Sequence, residues 1–169
     1  MYFKNKDLKI SPIGLNMICH YEGYSPTIYL CPSQKKTIGI GHLVRSYELE
    51  RYENAILTKE DAMELLKKDM EREQNHLRKL VKVPLTQNQW DALSSLIMNI
   101  GAGNFSSSTL LKTLNRGHKN LIPMQIKRWI YSRGRRLNGL IKRRGSECGL
   151  WNSYYDYKTA EMFAKYLGR

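Results

Sequence analysis

Three residues in the first quarter of the chain have types and spacing suited to chemistry on one substrate. Glu22 is followed after eight residues by Cys31 and after five more by Thr37, which opens Thr-Ile-Gly-Ile-Gly-His (37–42). Glu22 falls at the end of a helical pattern, on the face that carries Leu15 and Ile18. The partial negative charge of a helix C-terminus and the loss of solvent both oppose a second negative charge there. A carboxylic acid so placed can hand a proton to a leaving oxygen. Read locally, Glu22 also fits a helix-end glutamate paired with an arginine. Cys31 fits a buried structural thiol or, with Cys19, His20 and His42, a metal ligand, although these gaps match no zinc signature. Gly39 and Gly41 alternate with isoleucines, a pattern of strand glycines approached closely by a ligand or another chain, or of a bent strand.

The elements that must position these residues are legible around them. Ser11-Pro12 is a helix start, with Ser as cap and Pro in the first turn, and Gly23 is a stop. Residues 27–40, rich in β-branched and aromatic side chains and broken at Pro32-Ser33-Gln34, read as short antiparallel strands. Thr58-x-x-Asp61 resembles a capping box and opens a helix running to about Val81, with Ala62, Leu65, Leu66, Met70 and Leu77 as its apolar positions. Pro84 breaks it. Helices are then expected over Thr86–Ile100, Ser108–Asn115, Gln125–Tyr131, Leu140–Trp151 and Tyr157–Tyr166, with a turn at Gly101–Asn104 and an interruption at Arg133-Gly134. Trp90 and Trp151 are expected in the core, and Trp129 in the core or in a stacking role. The class is α+β.

The chain has 169 residues, enough for one domain with a hydrophobic core. It carries 28 basic and 15 acidic side chains, a formal charge of +13. Between Asp91 and Glu147 there is no acidic residue, whereas 11 lysines and arginines lie from Lys112 to Arg144. Such a field favours anionic partners. No apolar run approaches the roughly 20 residues of a membrane span, and the N-terminus lacks the apolar stretch of a signal peptide. Three cysteines are too few for a disulfide framework and suit a reducing compartment.

The spacing Glu-x8-Cys-x5-Thr with Ile-Gly-x-Gly-His resembles phage-type lysozymes, glycoside hydrolase family 24, whose second position is often aspartate. The resemblance continues through LTQNQWDALSSLIMNIGAGNFSSSTLLKTLN (85–115) and RWIYSRGRRLNGLIKRRGSECGLW (128–151), covering nearly all of 11–151. It implies a lysozyme-like α+β fold, mostly helical. A small antiparallel β segment sits in an N-terminal lobe (11–57), and a helix (58–81) joins it to a helical C-terminal lobe (82–169). The resemblance implies that the whole would form one catalytic domain with no separate wall-binding domain. The implied activity is muramidase: hydrolysis of the β-1,4 bond between N-acetylmuramic acid and N-acetylglucosamine in peptidoglycan, without cofactor or metal. Glu22 would be the acid, Cys31 the second catalytic group and Thr37 a water holder. Leu43, Met98, Asn99 and Ser108 would bind substrate, and His42 would pair with Asp69. The family often has Gly where Gln34 stands in the hairpin turn.

The same resemblance implies a monomeric endolysin. It would accumulate in the host cytoplasm, depend on a holin for release and bind no nucleic acid. The basic 112–144 region would favour outer-membrane lipopolysaccharide. Competing readings are a lytic transglycosylase on the same fold and a cationic membrane-active protein.

Overall fold

A computed structural model describes residues 5–31 and 34–153. The helix expected over Tyr157–Tyr166 lies outside them, as do Pro32 and Ser33. Helix α1 spans Pro12–Glu22, α2 Leu49–Tyr52, α3 Lys59–Leu80, α4 Gln87–Ile100, α5 Ala102–Ser107, α6 Thr109–Asn115, α7 Ile122–Ile126 and α8 Asn138–Asn152. Strands β1 (Ser25–Leu30), β2 (Lys36–Gly39) and β3 (His42–Leu43) form an antiparallel sheet in that order, and β4 (Tyr131–Ser132) pairs with β5 (Arg135–Arg136). Among the described residues no helix is long and apolar enough to cross a membrane.

The chain divides into two compact units, residues 19–72 and residues 1–18 with 73–169. The first holds the three-stranded sheet and most of α3. Its helix start is the expected box: Asp61 N–H donates to Thr58 Oγ1 at 3.0 Å, and Asp61 Oδ2 accepts from Thr58 N–H at 3.1 Å. The second is built around α4, whose Thr86 cap accepts from Gln89 N–H. Trp90, Leu93, Leu96 and Ile97 are buried there with Phe105, Leu110, Leu114 and Trp151. The Trp90 indole donates to Gln74 Oε1 at 3.0 Å, which satisfies the polar atom of a fully buried ring.

Two expectations are corrected. Gly101–Asn104 is not merely a turn. Gly101, at φ 83°, ends α4, and the chain re-enters helix as α5, anchored by buried Phe105 and by Asn104 Nδ2 donating to Ile100 O. The helix expected over Gln125–Tyr131 stops at Ile126, and Tyr131 instead begins a hairpin. Arg133 (φ 49°) and Gly134 (φ 73°) take the two left-handed positions of its tight turn.

The N-terminus is tied to α4 by a buried carboxylate. Asp91 is fully buried; it accepts from Ser11 N–H at 2.9 Å, from the Ser11 hydroxyl and from Gln87 Nε2 at 2.9 Å. Burial outweighs these hydrogen bonds and pushes the carboxyl from 3.8 up to about 6. Because the folded value lies above the unfolded one, the favourable contribution is complete below pH ~4 and is lost as pH rises through about 6. Between pH 4 and pH 7 the stability of the wild type relative to Asp91→Asn should therefore fall by about 2 kcal/mol. Urea unfolding of both proteins across this range measures it; a difference independent of pH contradicts it.

Candidate active site

Helix α1 delivers Glu22 at its last position. Gly23 N–H closes the helix on Cys19 O at 3.0 Å, and Gly23 turns the chain into β1 with φ 70°. The sheet then sets a row. Tyr29 pairs with Thr37 across β1 and β2, and Thr37 pairs with Leu43 across β2 and β3. Directly opposed residues share a face, so Tyr29, Thr37 and Leu43 lie side by side. Cys31 follows Tyr29 by two residues, and its N–H donates to Lys35 O at 3.0 Å. That extends the ladder and keeps Cys31 on the face of Tyr29.

Thr37 is buried, and its hydroxyl donates to Lys35 O at 3.0 Å. Its proton is thus engaged, and its oxygen presents lone pairs. Gln34 N–H donates to Cys31 O at 2.7 Å, and Gln34 takes φ 58°, a left-handed geometry that a side chain other than glycine adopts at a cost of about 1 kcal/mol.

Gly41 explains the glycine pattern. Its φ is 73°, and a methyl group built on it would lie 2.8 Å from Glu22 Oε2 and 3.0 Å from Glu22 Cδ. The backbone between β2 and β3 therefore backs the Glu22 carboxyl directly, an approach only glycine permits. At Gly39 the close neighbour is Ala62 of α3, 3.3 Å from such a methyl group.

Tyr29, not singled out from the sequence, belongs to this cluster. Its phenol is pushed up first by burial, then by the nearby charges of Glu22 and Cys31. The signal was available, since Tyr29 precedes Cys31 by one strand period. Gly41 and Tyr29 thus join Glu22, Cys31 and Thr37 in one cluster.

Behind the row, buried His42 places Nδ1 2.7 Å from Asp69 Oδ2 of α3 and Nε2 3.5 Å from Glu48 Oε1. Tyr52 meets the imidazole edge-on at 5.7 Å between centroids, and Arg72 holds the other Asp69 oxygen at 3.2 Å. Glu48 is a second carboxylate at His42 that the sequence reading missed.

Glu22, Cys31, Thr37, His42, Leu43 and Asp69 all lie in the 19–72 unit. Leu43 is exposed. Met98, Asn99 and Ser108 lie in the other unit, Met98 half-buried and Asn99 exposed in the last turn of α4. Ser108 is buried as the cap of α6: its hydroxyl accepts from Leu111 N–H at 3.0 Å and donates to Phe105 O at 2.6 Å. Cys19, Cys31 and Cys148 are all thiols rather than disulfides. Burial pushes Cys19 and Cys148 up, towards the neutral form.

Residues 19–147 match the phage lysozyme family model. The chain belongs to the phage lysozyme family. It is 39% identical over 150 residues to an endolysin of Acyrthosiphon pisum secondary endosymbiont phage 1, covering 86% of this chain and 99% of that protein. An endolysin of Bacillus phage PZA is 37% identical over 148 residues, but the chain spans only 56% of that relative's length. The muramidase domain of SpmX from Asticaccaulis excentricus superimposes with a TM-score of 0.76 at 34% identity, covering 86% of this chain and 99% of that domain. The fold of this phage lysozyme-family chain is lysozyme-like.

Proposed function

We propose that this chain is an endolysin, a muramidase that hydrolyses the β-1,4 bond between N-acetylmuramic acid and N-acetylglucosamine in peptidoglycan and so lyses the bacterial host. The observation that carries this reading is the backing of the Glu22 carboxyl by Gly41, beside the sheet row that bears Thr37. In this reading Glu22 protonates the glycosidic oxygen as the bond breaks. Water donates a hydrogen bond to Thr37 Oγ1, which suits a hydroxyl whose own proton is engaged by Lys35 O. Cys31 takes the second catalytic position, either attacking the sugar as thiolate or aligning the water. Leu43, Met98, Asn99 and Ser108 are the substrate-binding residues of this reading, with Ser108 acting through the α6 cap. His42 and Asp69 hold β3 to α3. No cofactor enters.

The same reading has the protein accumulate in the host cytoplasm as a monomer and reach the wall after a holin-type partner permeabilises the membrane. It rests on the family membership and not on any feature of the fold.

The test is mass spectrometry of muropeptides released from purified wall. Products with reducing N-acetylmuramic acid ends are expected; products lighter by one water would make the protein a lytic transglycosylase instead. Cys31→Ala should lower the rate at least 10-fold with the fold intact, and full activity would remove Cys31 from the site. A β-configured first product would mark a glycosyl-thiol intermediate, and an α-configured one direct attack by water.

A further inference from the structure

Acidic side chains are missing from the surface of the second unit between residues 92 and 153. The single acid in that stretch is Glu147, and it is fully buried. Lys112, Arg116, Lys127, Arg128, Arg133, Arg135, Arg136 and Lys142 are all exposed there. Three of these eight fall within four residues, on the β4–β5 hairpin. Its register pairs Tyr131 with Arg136 and Ser132 with Arg135. Arg136 therefore stands beside Tyr131 on one face, Arg135 stands on the other, and Arg133 stands at the tip.

The same segment exposes apolar surface. In this unit the exposed large hydrophobic residues, among those described, are Leu121, Met124 and Tyr131, at 39%, 58% and 62%. All three lie within eleven residues, 121–131, the last of them opening the hairpin, and Lys127 and Arg128 fall between Met124 and Tyr131. Cations and apolar or aromatic side chains exposed together are the composition of a bilayer interface: arginines grip phosphate headgroups, and tyrosine and methionine enter the boundary below. A nucleic-acid groove would need the cations alone or with stacking platforms, and Leu121 and Met124 are neither.

We propose that residues 121–136 form a docking surface for a bilayer with anionic phosphate headgroups, which holds the protein at the membrane. This goes beyond wall hydrolysis and does not depend on it.

The test is co-sedimentation of the full chain with vesicles of phosphatidylglycerol and phosphatidylethanolamine, against vesicles of phosphatidylcholine. Binding to the anionic vesicles is expected, weakening as salt rises. The triple variant Arg133→Ala, Arg135→Ala, Arg136→Ala should bind about 100-fold more weakly, each lost arginine contributing roughly five-fold. Lys9→Ala with Lys59→Ala and Lys68→Ala removes the same charge from exposed positions elsewhere and should change binding less than about five-fold. Met124→Ser with Tyr131→Ser should abolish the fraction retained at high salt. Circular dichroism checks that each variant is folded. Equal losses in the two triple variants would reduce the effect to net charge and overturn the proposal. So would binding to duplex DNA that needs the three arginines, is indifferent to Met124 and Tyr131, and has no vesicle counterpart.

Discussion

Glu22→Gln is expected to lower the rate of wall solubilisation by roughly 10³-fold, the usual contribution of a positioned general acid, while leaving the thermal transition nearly unmoved. Glutamine has the shape of glutamate and still fits against Gly41, so only the transferable proton is lost. Gly41→Ala provides the complementary result. It removes no group that can carry a proton, yet its methyl would lie 2.8 Å from Glu22 Oε2. The carboxyl must then retreat, and a misplacement on the order of 1 Å is worth about 10²-fold in rate. Alanine at φ 73° also adds about 1–2 kcal/mol of backbone strain. Gly39→Ala separates the two effects. Its φ of 64° imposes the same strain, but its methyl would meet Ala62 rather than Glu22. Gly39→Ala should therefore lose stability and keep its activity per folded molecule. If Gly41→Ala and Gly39→Ala show the same specific activity, the backing of Glu22 by Gly41 does not govern the chemistry.

The local signals around this site were legible because helix and strand periods are short. The Ser11-Pro12 start, the Thr58 box and the stop at Gly23 all stand where their residue types place them. The glycines of Gly-Ile-Gly announced a close approach but not the approaching group. Ala62 and the Glu22 carboxyl are distant in sequence, and only the closed sheet brings them there. The hairpin at 131–136 was missed for a related reason. Arg133-Gly134 reads as an interruption in a helical pattern, but two successive left-handed residues reverse the chain and let Tyr131 face Arg136. Gly101–Asn104 reads as a turn because of its two glycines, whereas buried Phe105 rewards a further helix just beyond Gly101. Arg143, Arg144 and Glu147 have the three- and four-residue spacing of an ordinary exposed helix pair. Their burial depends on Ser95 of α4, which no spacing within α8 reveals.

That buried cluster carries the largest expected stability effect. Glu147 Oε1 accepts from Ser95 Oγ at 2.8 Å and from Arg144 Nη2 at 2.8 Å. Arg144 Nε lies 2.7 Å from Oε2, in ion-pair contact though off the hydrogen-bond line. Arg143 reaches Oε1 at 3.4 Å and donates from Nη2 to Ser95 O at 3.1 Å. The arginines are 2% and 1% exposed and Glu147 is 0%, so solvent screens almost nothing. Burial pushes the Glu147 carboxyl up despite both arginines, and pushes the Arg144 guanidinium down despite Glu147. Glu147 and Arg144 are thus held against a desolvation penalty that their partners only partly offset, and a buried cluster of this kind adds little net stability. Removing one member is a different matter. Glu147→Ala leaves two buried guanidinium groups on adjacent residues without the carboxylate between them. It should destabilise the protein by about 3–5 kcal/mol and lower the melting temperature by about 10 °C. Glu147→Gln keeps an acceptor for Ser95 and Arg144 without the charge and should lose a smaller part of that. Urea unfolding of the three proteins orders them. Equal losses in Glu147→Ala and Glu147→Gln would assign the whole effect to charge, and near wild-type stability in both would mean that water reaches the arginines once the carboxylate is gone.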